Sequence, residues 1–160
     1  MPYTYYRPAV PEDELSAYFA AKLGLVRSFE DEPFPLRGDR WWVSHMFDTA
    51  EEYGYEAARL GIDESGELSL VTFEARKNLS TSEYFQAHID LFGAVIDQLN
   101  EVPELTGILT YGDISVLVER PPGGQTLLDS KLADPEDWNA DHHLDEVLAR
   151  GTVTDLDRFP

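Results

Sequence analysis

Two apolar β-forming runs, Thr106 to Tyr111 and Ile114 to Arg120, meet at Gly112-Asp113. A two-residue Gly-x link between such runs is a hairpin turn, and a hairpin makes its strands antiparallel. Upstream, Leu68 to Ala75 alternates as a strand, with Val71, Phe73 and Ala75 on one face and Thr72, Glu74 and Arg76 on the other. Ser80 and Glu83 then form an S-x-x-E capping box. Behind that box, Phe85, His88, Ile89, Phe92, Val95, Ile96 and Leu99 make a continuous apolar helix face that stops before Pro103. A helix with one apolar face needs a sheet to cover it. The order strand, helix, hairpin predicts an α+β fold, an antiparallel sheet of about five to six strands with helices mainly on one face, as a two-layer sandwich.

The flanking segments extend this plan. Tyr3 to Arg7 is aromatic and reads as a short strand closed by Pro8 and Pro11. Pro11-Glu12-Asp13-Glu14 opens a helix, because Pro suits the first turn and acids there complement the dipole. Leu15, Tyr18, Phe19 and Leu23 recur at helical spacing, and Gly24 ends the run. Leu25 to Phe29 reads as extended, Glu30 to Arg40 as a loop, and Arg40 to Phe47 as a strand. Asp48 and Glu51 predict a capped second helix with the stripe Ala50, Tyr53, Ala57 and Leu60, ended by Gly61. Pro121-Pro122-Gly123-Gly124 turns the chain into a further strand, Gln125 to Asp129. A helical stretch starts at Asp134, continues or restarts near Asp141 and runs to Arg150, and Thr152 to Pro160 reads as a tail. No repeat or linker divides the 160 residues, so a single domain, 1–160, is expected.

Charge narrows the functional classes. The chain holds 31 Asp and Glu against 12 Lys and Arg, a formal net charge of -19. Such a field repels nucleic acid and anionic membranes and attracts basic partners. Two readings of the acidity stand: a dedicated binding face, or diffuse solubility in a protein from a salt-adapted organism. Lysine occurs only at Lys22, Lys77 and Lys131, which fits the second. There is no cysteine, which excludes disulfides and thiolate chemistry. Met1 to Arg7 has no apolar core of a secretory signal, and no apolar run approaches the roughly 20 residues of a membrane span. A cytoplasmic location is expected.

No catalytic pattern accompanies the charge. G-x-S-x-G, Walker, G-x-G-x-x-G and H-E-x-x-H motifs are all missing. Asp141-His142-His143-x-Asp145-Glu146 has the residue types of a metal or base site. On a helix, however, its two imidazoles diverge by about 100°, leaving only His142 with Asp145 or Glu146 on one face. It reads as a solvated polar face, so no catalytic residue, metal or cofactor is assigned. His88 reads as a core-edge histidine. The segment from Phe29 to Trp42 is the candidate partner surface. Its Glu30, Asp31, Glu32 and Asp39 would steer a basic protein, and Phe34, Trp41 and Trp42 would anchor it. Alternation in a strand would instead bury one tryptophan and expose the other.

From Gly61 to Asp129 the chain also resembles a known family. The strand Val71-Thr72-Phe73-Glu74-Ala75-Arg76-Lys77 is followed by a helix ending Ala94-Val95-Ile96-Asp97-Gln98-Leu99. Then come Gly107-Ile108-Leu109-Thr110-Tyr111-Gly112-Asp113 and Val116-Leu117-Val118-Glu119-Arg120. This order of V-x-F-x-x-x-K strand, helix, and hairpin with a basic residue after its second strand is similar to the Sit-type immunity proteins, third class, of bacterial swarming-inhibition toxin pairs. The resemblance implies a cytoplasmic, non-enzymatic protein that binds and blocks a cognate toxin. The alternatives are a small-molecule-binding or enzymatic domain, with a pocket between long helix and sheet lined by Tyr84, His88, Tyr111 and the two tryptophans, and a non-catalytic structural protein from a salt-adapted organism.

Overall fold

The computed structural model describes residues 1–112 and 115–156. Its elements in chain order are β1 (Tyr3–Pro8), α1 (Glu12–Leu23), β2 (Val26–Arg27), β3 (Leu36–Arg37), β4 (Trp41–Thr49), α2 (Gly54–Arg59), β5 (Glu67–Ala75) and α3 (Thr81–Glu101). These are followed by β6 (Gly107–Tyr111), β7 (Ser115–Arg120), β8 (Leu127–Asp129), α4 (Asp145–Leu148) and β9 (Thr152–Thr154). The chain is α+β as expected, but the sheet is larger than the sequence predicted. Among the described residues nine strands join in the order β2-β3-β4-β5-β1-β6-β7-β8-β9. All neighbours are antiparallel except β8 and β9, which run parallel, so the sheet is mixed. The extra strands have two or three residues each, too few to show a period of two.

The first strand lies in the middle. Tyr5 pairs with Val71 on one side and Leu109 on the other. Its side chains therefore alternate between two buried environments. Tyr3 and Tyr5 join Phe19, Trp41, Phe73, Leu91 and Phe92 under α1 and α3. Tyr6 points the other way, into a second cluster with Ala57, Leu60, Leu68, Leu70 and Ile108. That second cluster is covered by α2. The expected two-layer sandwich is thus corrected: α1, α3 and α4 cover one face, while α2 covers part of the opposite one.

Local signals explain two of the helix ends. Gly24 adopts φ 64 and closes α1, its N–H donating to the Ala20 carbonyl. Ser80 and Glu83 form the reciprocal capping box that opens α3. At its other end α3 has no basic residue of its own. Arg120, from β7, supplies the charge by donating to the carbonyls of Leu99, Val102 and Pro103.

Three expectations are corrected. The Asp48–Glu51 box does not form. Asp48 instead accepts from the N–H of Thr49, and α2 starts only at Gly54, without a side-chain cap. Of the helical stretch expected from Asp134 to Arg150 only a 3-10 turn at Ala140–His142 and the short α4 form, and a further 3-10 turn at Ser130–Ala133 precedes it. Asn139 is the cause: its buried side chain accepts from the Leu144 N–H and donates to Asp145, offering the backbone an alternative to the helix. The supposed tail contributes β9, so Thr152–Thr154 belongs to the sheet. Asp113 and Ile114, expected in the hairpin turn and at the start of its second strand, lie outside the described residues, as do residues 157–160 of the expected tail. No helix among the described residues is long and apolar enough to cross a membrane.

Candidate functional site

The acidic segment chosen from sequence forms the hairpin β2–β3 at one edge of the sheet, together with the turn into β4. Glu30, Asp31 and Glu32 are exposed in its loop, and Asp39 is exposed before β4. The expected anchors divide. Trp41 is only 1% exposed, and its indole N–H donates 3.1 Å to the Ala87 carbonyl of α3. Phe34 is 8% exposed and stacks on the His45 ring at 5.4 Å. Neither can meet a partner, because each fills the core. Trp42, on the opposite face of β4, is 37% exposed with the Arg76 guanidinium 5.8 Å from its ring centre. The aromatic this loop does present is Phe29, 62% exposed, beside Val26 at 61%. Sequence reasoning takes Phe29 only as the start of the segment and not as an anchor, because a loop residue outside any strand has no alternation to mark whether it faces water.

His45 fills the gap between that hairpin and α1. Its side chain is fully buried, and its Nδ1 lies 2.7 Å from a Glu12 carboxylate oxygen. Phe34 and Phe47 enclose the ring. The pair ties β4 to the first turn of α1.

A separate constellation gathers at the N-terminal half of α3. Tyr84, Phe85 and His88 from α3 and Tyr111 from the end of β6 face Asp137, Trp138 and His143 across a cavity of about 240 Å³. Neither of the two tryptophans expected there, Trp41 and Trp42, lines it; the structure supplies Trp138 instead, from the broken segment before α4. Trp138 stands edge-on to Tyr111, with ring centres 5.3 Å apart. His143 stacks flat on Phe85 at 4.0 Å. The His143 Nδ1 lies 2.6 Å from the Ala140 carbonyl and so donates to it, which in the neutral ring leaves Nε2 as a lone-pair acceptor. That Nε2 is buried with no partner among the described residues. The backbone turns left-handed at Asp141 and His142, with φ 55 and 56, so the two imidazoles do not sit on a continuous helix as expected. His142 lies 3.4 Å from Asp145, the i+3 contact its spacing allows.

Behind the cavity, the Tyr3 hydroxyl is 2.8 Å from His88 Nε2 and also shares a hydrogen bond with Tyr84. Burial pushes the Tyr3 hydroxyl up, so it remains protonated. Burial, and secondarily His143, pulls His88 down to about 4. His88 is therefore neutral at pH 7. Because an unfolded histidine titrates near 6.5, the unfolded chain binds the extra proton first. His88 costs nothing above that pH. Its cost grows as pH falls from 6.5 to about 4 and reaches roughly 3 kcal/mol. His88→Gln is expected to remove that fraction of the acid destabilisation. Urea melts of both proteins across the window measure it, and parallel curves would show that His88 does not titrate there.

Among the described residues no group of three or more histidines and carboxylates is placed to hold a metal ion. Compared with family models, curated proteins and solved structures, the chain matches none.

Proposed function

We propose that the chain is an acidic protein-binding domain, an immunity protein or similar inhibitor that holds a basic partner such as a cognate bacterial toxin. One observation carries the reading: in a chain of net charge -19, the exposed acids Glu30, Asp31 and Glu32 follow directly on the exposed Phe29 in the loop of the hairpin at the edge of the sheet. An exposed aromatic is an anchor able to fill a partner's pocket. The acids around it raise the encounter rate with a positive surface and keep acidic proteins away. The edge strand β2 adds unpaired backbone groups that a partner strand can meet. The resemblance over Gly61 to Asp129 points the same way, since it implies binding without catalysis.

Two kinds of substitution separate steering from anchoring. Replacing Glu30, Asp31 and Glu32 together by Gln is expected to slow association with the co-expressed product of the adjacent gene by roughly tenfold at low salt, with dissociation little changed. Phe29→Ala is expected to speed dissociation instead. Surface plasmon resonance at low and high salt reads both rates. A complex whose association ignores both salt and the triple substitution would sink the proposal.

A further inference from the structure

We propose that the cavity between α3 and the segment before α4 is a binding site for a small organic ammonium ion that bears at least one N–H. This site shares no residue with the β2–β3 edge, so either proposal can fail alone.

Size comes first. At about 240 Å³ the cavity lies just below the range of roughly 300–1,000 Å³ usual for drug-sized ligands, so its occupant is small. Sign comes second. No Lys or Arg lines it, and its one carboxylate is Asp137. With His88 neutral and the whole chain at -19, an anion meets repulsion and no counter-charge. Wall chemistry comes third. Tyr84, Tyr111 and Trp138 are π systems, and a cation is drawn to the negative face of such rings. Trp138 and Tyr111 stand nearly perpendicular, so together they form a corner rather than a flat slot. A rounded cation fits a corner, whereas a planar base would need parallel plates. The hydrogen-bonding inventory comes last. His143 Nε2 is an acceptor by its tautomer, and Asp137 is an acceptor by its charge. The polar lining also holds the Trp138 N–H and the Tyr84 and Tyr111 hydroxyls, but these two acceptors set beside ring faces favour a cation that can donate, which separates an N–H-bearing ammonium from a quaternary one.

Three probes of similar size and different chemistry test this on the intact chain: tert-butylammonium, tetramethylammonium and the neutral tert-butanol. Binding is followed through the side-chain NMR signals of Trp138, Tyr84 and Tyr111 at moderate salt. The expected result is that tert-butylammonium perturbs those signals and binds roughly tenfold or more tightly than tert-butanol, with tetramethylammonium between them. Asp137 is exposed and its side chain has no hydrogen bond or ion pair among the described residues, so Asp137→Asn is expected to remain folded. It is expected to weaken the two cations several-fold and leave the alcohol unchanged. Equal affinity for cation and alcohol would overturn the proposal. So would cation-induced shifts confined to the acidic surface, or no response at Trp138.

Discussion

Trp41→Ala is expected to cost about 4 kcal/mol of folding stability, while Trp42→Ala, one residue along, costs less than about 1. The difference is entirely one of environment. Trp41 is fully enclosed by Tyr3, Phe73 and α3, and it spends its indole N–H on the Ala87 carbonyl. Its removal leaves a large cavity among close-packed rings and takes away the second donor to a helix carbonyl. Trp42 loses only a partly exposed ring and its contact with Arg76. Denaturant melts of the two variants settle the matter. A larger loss in Trp42→Ala would mean that the sheet faces are the other way round, and equal losses would mean that β4 does not present its two faces to core and solvent. The pair also guards the binding experiment, since lost binding in Trp41→Ala would report unfolding and not a lost contact.

The second large effect is expected at Arg59. Its guanidinium reaches from α2 to both carboxylate oxygens of Glu119 on β7, with Nε 3.2 Å from one of them. Glu119 is only 6% exposed and pairs across the sheet with Ile108 and Leu127. Arg59→Met would strand that carboxylate beside the second apolar cluster. The expected cost is about 3 kcal/mol, at the lower end for a broken buried pair because the arginine is partly in water. Replacing both residues, Arg59→Met with Glu119→Met, is expected to recover most of it, since no charge is then left behind. A double-mutant cycle in urea reads the coupling. A single-variant loss under about 0.5 kcal/mol would show that water already solvates Glu119.

Both effects belong to contacts that the sequence does not display. Arg59 and Glu119 each read as ordinary polar positions, on a short helix and a hairpin strand. Their meeting depends on α2 folding over the second face of the sheet, which no local pattern encodes. Trp138 is a similar case. It stands among acids in a stretch where helical periodicity looks plausible, and only the buried Asn139 breaks that helix and turns the ring toward Tyr111. Tyr84, His88 and Tyr111 were legible as pocket residues because α3 has a clear apolar face and Tyr111 ends a clear strand. Phe34 and Trp41 were misjudged as anchors because an aromatic residue beside acids looks the same in sequence whether it faces water or the core.

What the sequence by itself determined is local. The capping box at Ser80 and Glu83, the left-handed stop at Gly24 and the alternation of β5 rest on hydrogen bonds and sterics within a few residues, so they can be read without the rest of the chain. The same alternation required Trp41 and Trp42 to face opposite ways. Only the tertiary structure decided which of them is core. That choice follows from the position of β1 between β5 and β6, which brings Tyr3 and Tyr5 under α3 and makes one face of the sheet the place where the large rings pack. Strand order joins residues far apart in the chain, and the energy that selects it is the burial of those side chains against one another.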